Sequence, residues 1–210
     1  MSRPGDDARD RLIAAAAELC TRRGFSELSE EEIAALAGVP LARLHSLFPG
    51  GKEDCLAAAQ NANVLEVVAA VGRAYSADRS EWENVVYGVR EILQVMSRKP
   101  AHAYLGYVFS RQMAAGRLKE VNETGHQMLE AMLERGWEYS RGGEQPAKVA
   151  LGILGGAQAL VRREIALGRT ERLPELLPDC VYIATVPFLG QRQALRLVRD
   201  AETLLRDHAG

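Results

Sequence analysis

The sequence is poor in aromatic residues, with two Trp, six Tyr and four Phe among 210 positions, while 47 % of it is apolar. That balance suits a core of packed helices. No run of eighteen or more apolar residues occurs, which argues against a transmembrane helix. The start, M-S-R-P-G-D-D, is polar and acidic and lacks the apolar centre of a signal peptide, so a cytoplasmic protein is expected. Cysteine is scarce too. Cys20, Cys55 and Cys180 are widely spaced and form no C-x-x-C, and they read as buried thiols acting as small hydrophobes. Cys55 lies near an expected helix N-terminus, where thiolate is favoured, and is the one thiol with an argument for redox chemistry. No G-x-S-x-G, H-E-x-x-H, P-loop or G-x-G-x-x-G is present, and the four histidines have no metal-ligand spacing. Neither an enzyme nor a metal or cofactor site is expected. Excess positive charge is also missing: the net charge is −2, and between Arg9 and Asp54 six basic residues face eight acidic ones. Such a segment supplies little unspecific attraction to phosphate.

What the chain does have is a local pattern between Ser29 and Leu56, S-E-E-E-I-A-A-L-A-G-V-P-L-A-R-L-H-S-L-F-P-G-G-K-E-D-C-L. Ser29 with Glu32 three residues on spells a capping box, and Leu28 with Ile33 a hydrophobic staple. Ile33, Leu36 and Ala37 then read as the inner face of a short helix that Gly38 ends, because glycine accepts the left-handed C-cap conformation. Glu30 to Glu32 favour the positive end of that helix. Pro40 suits the first turn of a second helix, in which Leu44, Leu47 and Phe48 recur at helical spacing. Two helices joined by a short Gly-containing turn make a helix-turn-helix, which points to DNA.

Helix 1 (Arg9 to Gly24), I-A-A-L-A-G-V, L-H-S-L-F and G-K-E-D-C-L together resemble the N-terminal domain of the TetR (tetracycline-repressor-like) family, over about the first quarter of the chain. Ile33, Ala34, Ala37, Gly38, Val39, Phe48, Lys52 and Leu56 stand at the family's spacing. Pro40 stands where the family usually has Ser, His45 where it has Tyr, and Leu47 where it has His. The resemblance implies an all-α protein. An N-terminal three-helix helix-turn-helix head (1–51) would bind double-stranded DNA at a palindromic operator. A C-terminal helical bundle (52–210) would bind a small-molecule effector and form a homodimer. The acidic head and the His45 and Leu47 departures leave a second reading open: a TetR-like dimer that binds a ligand or partner and has weak or lost operator recognition.

Beyond the head the sequence reads as helix after helix. A long one is expected over 52–77 with Leu56, Val64, Leu65, Val68 and Val71 inward. Ser80, with Glu83 three residues on, caps the next, whose Trp82, Val85, Val86, Val89, Ile92, Leu93 and Met96 share one face. Arg98-Lys99-Pro100 closes it. Further helices are expected over 101–115, 118–139 and 145–168, from Pro178, and over 191–208, the last with Leu195, Val198, Leu204 and Leu205 inward. Gly152, Gly155 and Gly156 sit inside the 145–168 helix, where glycine costs about 1 kcal/mol each. Their clustering suggests close approach of another backbone, either within the chain or across a twofold axis.

Candidate residues follow from these placements. For DNA they are Leu41, Ala42, Arg43, His45 and Ser46 on the exposed face of the second helix, with Gly51 and Lys52 for a phosphate at the next helix start. Arg43 is the side chain there able to make a bidentate contact with guanine. For an effector pocket, Trp82, Tyr87, Met96, Tyr104, Tyr107, Met113 and His126 offer apolar walls and polar handles, although each taken singly reads more simply as core. For the dimer interface the candidates are Gly152, Gly155, Gly156, Leu160, Val181 and Phe188, as the resemblance implies.

Overall fold

The cap signals of the second helix, Ser29 with Glu32 and Gly38, fold as expected. The structure is a computed structural model that describes residues 4–24, 27–108, 116–117, 119–121, 123–124, 127, 130 and 148–207. Helix α1 spans Pro4–Arg23, α2 Glu30–Ala37 and α3 Leu41–Leu47. Ser29 caps α2 through a complete capping box with Glu32, and Gly38 ends it in the left-handed region at φ 62°. Leu12, Ala16, Cys20, Leu28, Ile33, Leu44 and Phe48 fill one buried cluster, which fixes α1, α2 and α3 against each other. The inner face of α2 is Ile33, Ala34 and Ala37; Leu36 is 48 % exposed. In a helix of eight residues one step of about 100° decides the face, and Ala34 takes the place expected of Leu36.

Helix α4 runs from Gly51 to Ala74. Its first turns belong to the head: Cys55, Leu56 and Ala59 lie in the same cluster, joined by Leu105 of α6 (Pro100–Tyr107). The chain divides into two compact units, residues 1–65 with 101–124 and residues 66–100 with 125–210, and α4 contributes to both. Lys52–Ala74 is long and apolar enough, by composition, to cross a membrane, a property that scanning for an unbroken apolar run does not reveal. Its buried residues Cys55, Leu56 and Ala59 make it part of a protein core here. Farther along, Leu65 and Val68 are exposed at 60 % and 46 %, against expectation. Alanines carry the burial of this helix at Ala57, Ala59 and Ala70, and alanine gives no contrast in an apolar pattern.

In the second unit α5 (Glu81–Arg98) starts at a complete Ser80–Glu83 capping box and buries Val86, Leu93 and Met96. Helix α7 spans Val149–Ala166, a 3₁₀ segment follows over Thr170–Leu176, and α8 (Leu177–Leu189) and α9 (Gln191–Arg206) close the described chain. The 3₁₀ segment, expected as a plain connector, packs on α5 with Leu173 fully buried. Helix α8 packs on α5, α7 and α9. On α9 the buried residues are Ala194, Leu197 and Ala201, while Leu195 is 39 % exposed. Glu164 of α7 is buried yet paired: Arg169 lies 2.8 Å from Oε2, and Arg163 donates to Oε1 at 3.1 Å. That clamp fastens the turn after α7.

Candidate nucleic-acid interface

Leu44 and Phe48 anchor α3 by their burial, which leaves Ala42, Arg43, His45 and Ser46 exposed on its other face, with Leu41 half-buried at the edge of the core. Pro40 precedes the helix with extended backbone and makes no side-chain cap; its carbonyl accepts from the Arg43 and Leu44 amides at 2.8 and 3.2 Å. The cations of the head differ in how they are used. Arg11 pairs with Asp7, Arg22 with Glu18 and Arg23 with Glu32. The Arg9 guanidinium sits 5.2 Å from the Phe48 ring centroid, and the Lys52 ammonium donates to the Leu28 carbonyl at 2.7 Å. Of the described cations between residues 9 and 54, Arg43 is the one whose side chain has no hydrogen-bond, ion-pair or ring partner. Its five donors face solvent.

The start of α4 is arranged differently from the expected phosphate contact. Gly51 is buried with φ 63°, and the Lys52 amide donates to Glu30 Oε1 at 2.9 Å, so a carboxylate of α2 already meets the backbone there. Sequence reasoning missed Glu30 because the partners lie 22 residues apart and its charge had a sufficient local reason at the N-terminus of α2. Asp54 accepts from the Gly50 amide at 2.8 Å and from Arg117 Nη1 at 2.7 Å. The Arg117 hydrogen bond comes first among the causes that hold the Asp54 carboxyl below its usual pKa, followed by the Gly50 amide. A carboxyl depressed in the folded state contributes stability that is complete above its unfolded pKa and is lost as pH falls through its folded one. The contribution of this pair should therefore disappear below about pH 4. Urea titrations should show wild type losing more stability than Asp54→Asn between neutral and acid pH; equal losses would contradict it.

All three thiols are buried. Burial pushes Cys20 up to about 11 and Cys55 up to about 12, the latter helped by Glu30 and Asp54, and burial raises Cys180 to about 12. The redox argument for Cys55 fails, because desolvation and nearby carboxylates outweigh the helix terminus.

Residues 12–59 match the model for bacterial regulatory proteins of the tetR family. The head is that of the TetR family. The match covers α1 from Leu12 onward, α2, α3 and the first turns of α4, including every residue assigned to DNA. Over most of its length the chain shares its fold with solved transcriptional regulators, several of them described as TetR-like or of the tetR family. The fatty acid degradation regulator FadR of Bacillus halodurans superposes with TM-score 0.73 at 19 % identity, covering 87 % of this chain and 99 % of its own. A gamma-butyrolactone receptor (ArpA-like) gives 0.70 at 18 %, covering 96 % and 99 %. FadR of Bacillus subtilis in complex with stearoyl-CoA gives 0.67 at 14 %, covering 87 % and 99 %. No curated protein matches the sequence. The all-α architecture with an N-terminal helix-turn-helix head is thus the TetR one.

The other predicted positions fall in several environments. Trp82 packs on Phe188, ring centroids 5.2 Å apart, with Ile153 and Ala184 beside them. Met96 is 1 % exposed. Tyr87 is stacked by Arg79 at 3.6 Å and approached by Arg90 at 5.2 Å. Tyr104 packs against the head cluster, and Tyr107 is half-buried at the end of α6. Met96 is therefore core and Trp82 joins two helices, so neither stands as a free wall. Met113 and His126 lie outside the described residues. On α7, Gly152 and Gly155 are exposed, and a Cβ at either would meet nothing within 4 Å, whereas at Gly156 it would meet Ile183 at 3.6 Å. Leu160 is half-buried. Val181 and Phe188 need correcting as interface residues: they are 0 % and 5 % exposed within one protomer and offer no surface to a partner. The helical stripe that carries them on α8 faces α5 and α7 instead.

Proposed function

We propose that this protein is a sequence-specific DNA-binding repressor that acts as a homodimer and releases its operator when a small-molecule effector binds. The observation that carries the reading is Arg43, an unpaired guanidinium on the exposed face of the second helix of a TetR helix-turn-helix. In this arrangement the second helix enters the major groove, and arginine reads guanine through O6 and N7. Gly152 and Gly155 support the dimer, because they leave an exposed strip of α7 without side chains, next to Leu151 at 49 % exposure. Helix α4 supports the switch, since one unbroken helix contributes to both compact units. An effector acts only through a difference in affinity between the two positions of the heads. Stearoyl-CoA and a butyrolactone, named with two proteins of this fold, mark acyl thioesters and lactones as the first classes to test.

The experiment is selection of bound duplexes from a random pool at low and physiological salt. The expected outcome is an enriched inverted repeat with half-sites about one helical turn apart. Arg43→Ala should weaken binding to that site by about 1–3 kcal/mol and relax one position in each half-site. Retention that is sequence-independent and vanishes with salt would instead favour the dimeric binding module, the reading that the acidic head supports.

A further inference from the structure

Glu30 opens α2, and its carboxylate touches two other elements. Oε1 accepts the Lys52 amide of α4 at 2.9 Å, and Oε2 lies 3.5 Å from Nε2 of His45 on the exposed face of α3. The side chain is 29 % exposed, so it is held in place and still open to solvent. Among the described residues no arginine pairs with it, in contrast to Glu18 and Glu32, which hold Arg22 and Arg23. The Lys52 ammonium, the nearest strong cation in sequence to its contact, is turned to the Leu28 carbonyl. Its charge reaches inward as well, since it helps raise the Cys55 thiol. A carboxylate therefore stands between the helix that exposes Arg43 and the first turn of α4.

We propose that Glu30 limits how tightly this head holds DNA. Its charge opposes the phosphates that α3 and α4 would meet, so that binding depends on the base contacts of α3 and not on phosphate attraction alone. The inference rests on the DNA-binding reading above. Glu30 also has a second job, bracing α4 through the Lys52 amide, and the two can be separated. In Glu30→Gln the amide oxygen still accepts the Lys52 N–H while the charge is gone. In Glu30→Ala both are gone.

The test measures wild type and both variants, as full chains, against a random-sequence duplex at low and physiological salt, with melting temperature as the control for the brace. Removal of one solvent-near charge should tighten random-duplex binding by Glu30→Gln about fivefold at low salt. The gain should shrink as salt rises, and the melting temperature should stay that of wild type. Glu30→Ala should also bind more tightly while melting lower. If Glu30→Gln is folded like wild type and binds no more tightly, the carboxylate is only a brace and the inference is overturned. If neither wild type nor Glu30→Gln retains any duplex, and Arg43→Ala changes nothing, the DNA-binding reading itself falls and takes this inference with it.

Discussion

Leu44→Ala should lower the stability of the head by about 2–5 kcal/mol and remove duplex retention together with it. Helix α3 has seven residues, far too few to be helical alone in water. Its N-cap is a proline without a side-chain hydrogen bond, so capping adds little. What holds it is Leu44, 0 % exposed, with Phe48 at 3 %, in contact with the α1 and α2 core. Truncation leaves a void in the head cluster that a rigid small core cannot collapse around. Denaturation followed by circular dichroism gives the loss directly. Leu36→Ala is the internal control: that side chain is 48 % exposed, and its removal should change stability by no more than about 0.5 kcal/mol. Equal costs at the two positions would mean that the assignment of faces on α2 and α3 is wrong.

The second large effect is expected at Gly51. Its φ of 63° suits glycine, and a Cβ there would stand 1.7 Å from Glu30 Oε1. Gly51→Ala therefore combines left-handed strain of about 1 kcal/mol with loss of the Lys52–Glu30 hydrogen bond, worth about 1 kcal/mol, because the carboxylate must swing away. The total is about 2 kcal/mol. The two parts can be told apart in a double-mutant cycle. In a Glu30→Ala background the carboxylate is already absent, so Gly51→Ala should cost only the strain, about 1 kcal/mol. Full additivity would show that the Glu30 contact contributes nothing to stability.

The head was legible where its physics is local. Ser29, Glu32 and Gly38 act within one turn of their own positions, and so the boundaries of α2 and the exposed face of α3 follow from spacing. Glu30 was illegible in its second role because its partners, His45 and Lys52, are brought to it only by the packing of three helices. Elsewhere periodicity gave helices correctly and faces less well. Leu65, Val68 and Leu195 look inward by hydrophobicity yet are exposed, while Ala59, Ala70, Ala194 and Ala201 are buried beside Leu56 and Leu197. Small residues allow helices to approach closely, and the larger ones beside them are then turned outward. Val181 and Phe188 illustrate the converse. Their apolar stripe is real, but whether such a stripe meets its own chain or another copy is decided by tertiary structure, and here it meets its own.

The shared core of α1 to α4 and α6 has a practical meaning for anyone building hybrid regulators from this chain. Leu105 is fully buried among head residues, with Ala101 and Tyr104 packed beside it, and Arg117 clasps Asp54 at the start of α4. A graft cut after the helix-turn-helix, near residue 51, would remove Cys55, Leu56, Ala59 and Leu105 from the buried cluster they share with Leu12, Cys20 and Leu44. The transplantable piece is discontinuous in sequence. A fusion that moves this reading head to a foreign body must carry the first half of α4 and find, in its new host, an equivalent of α6.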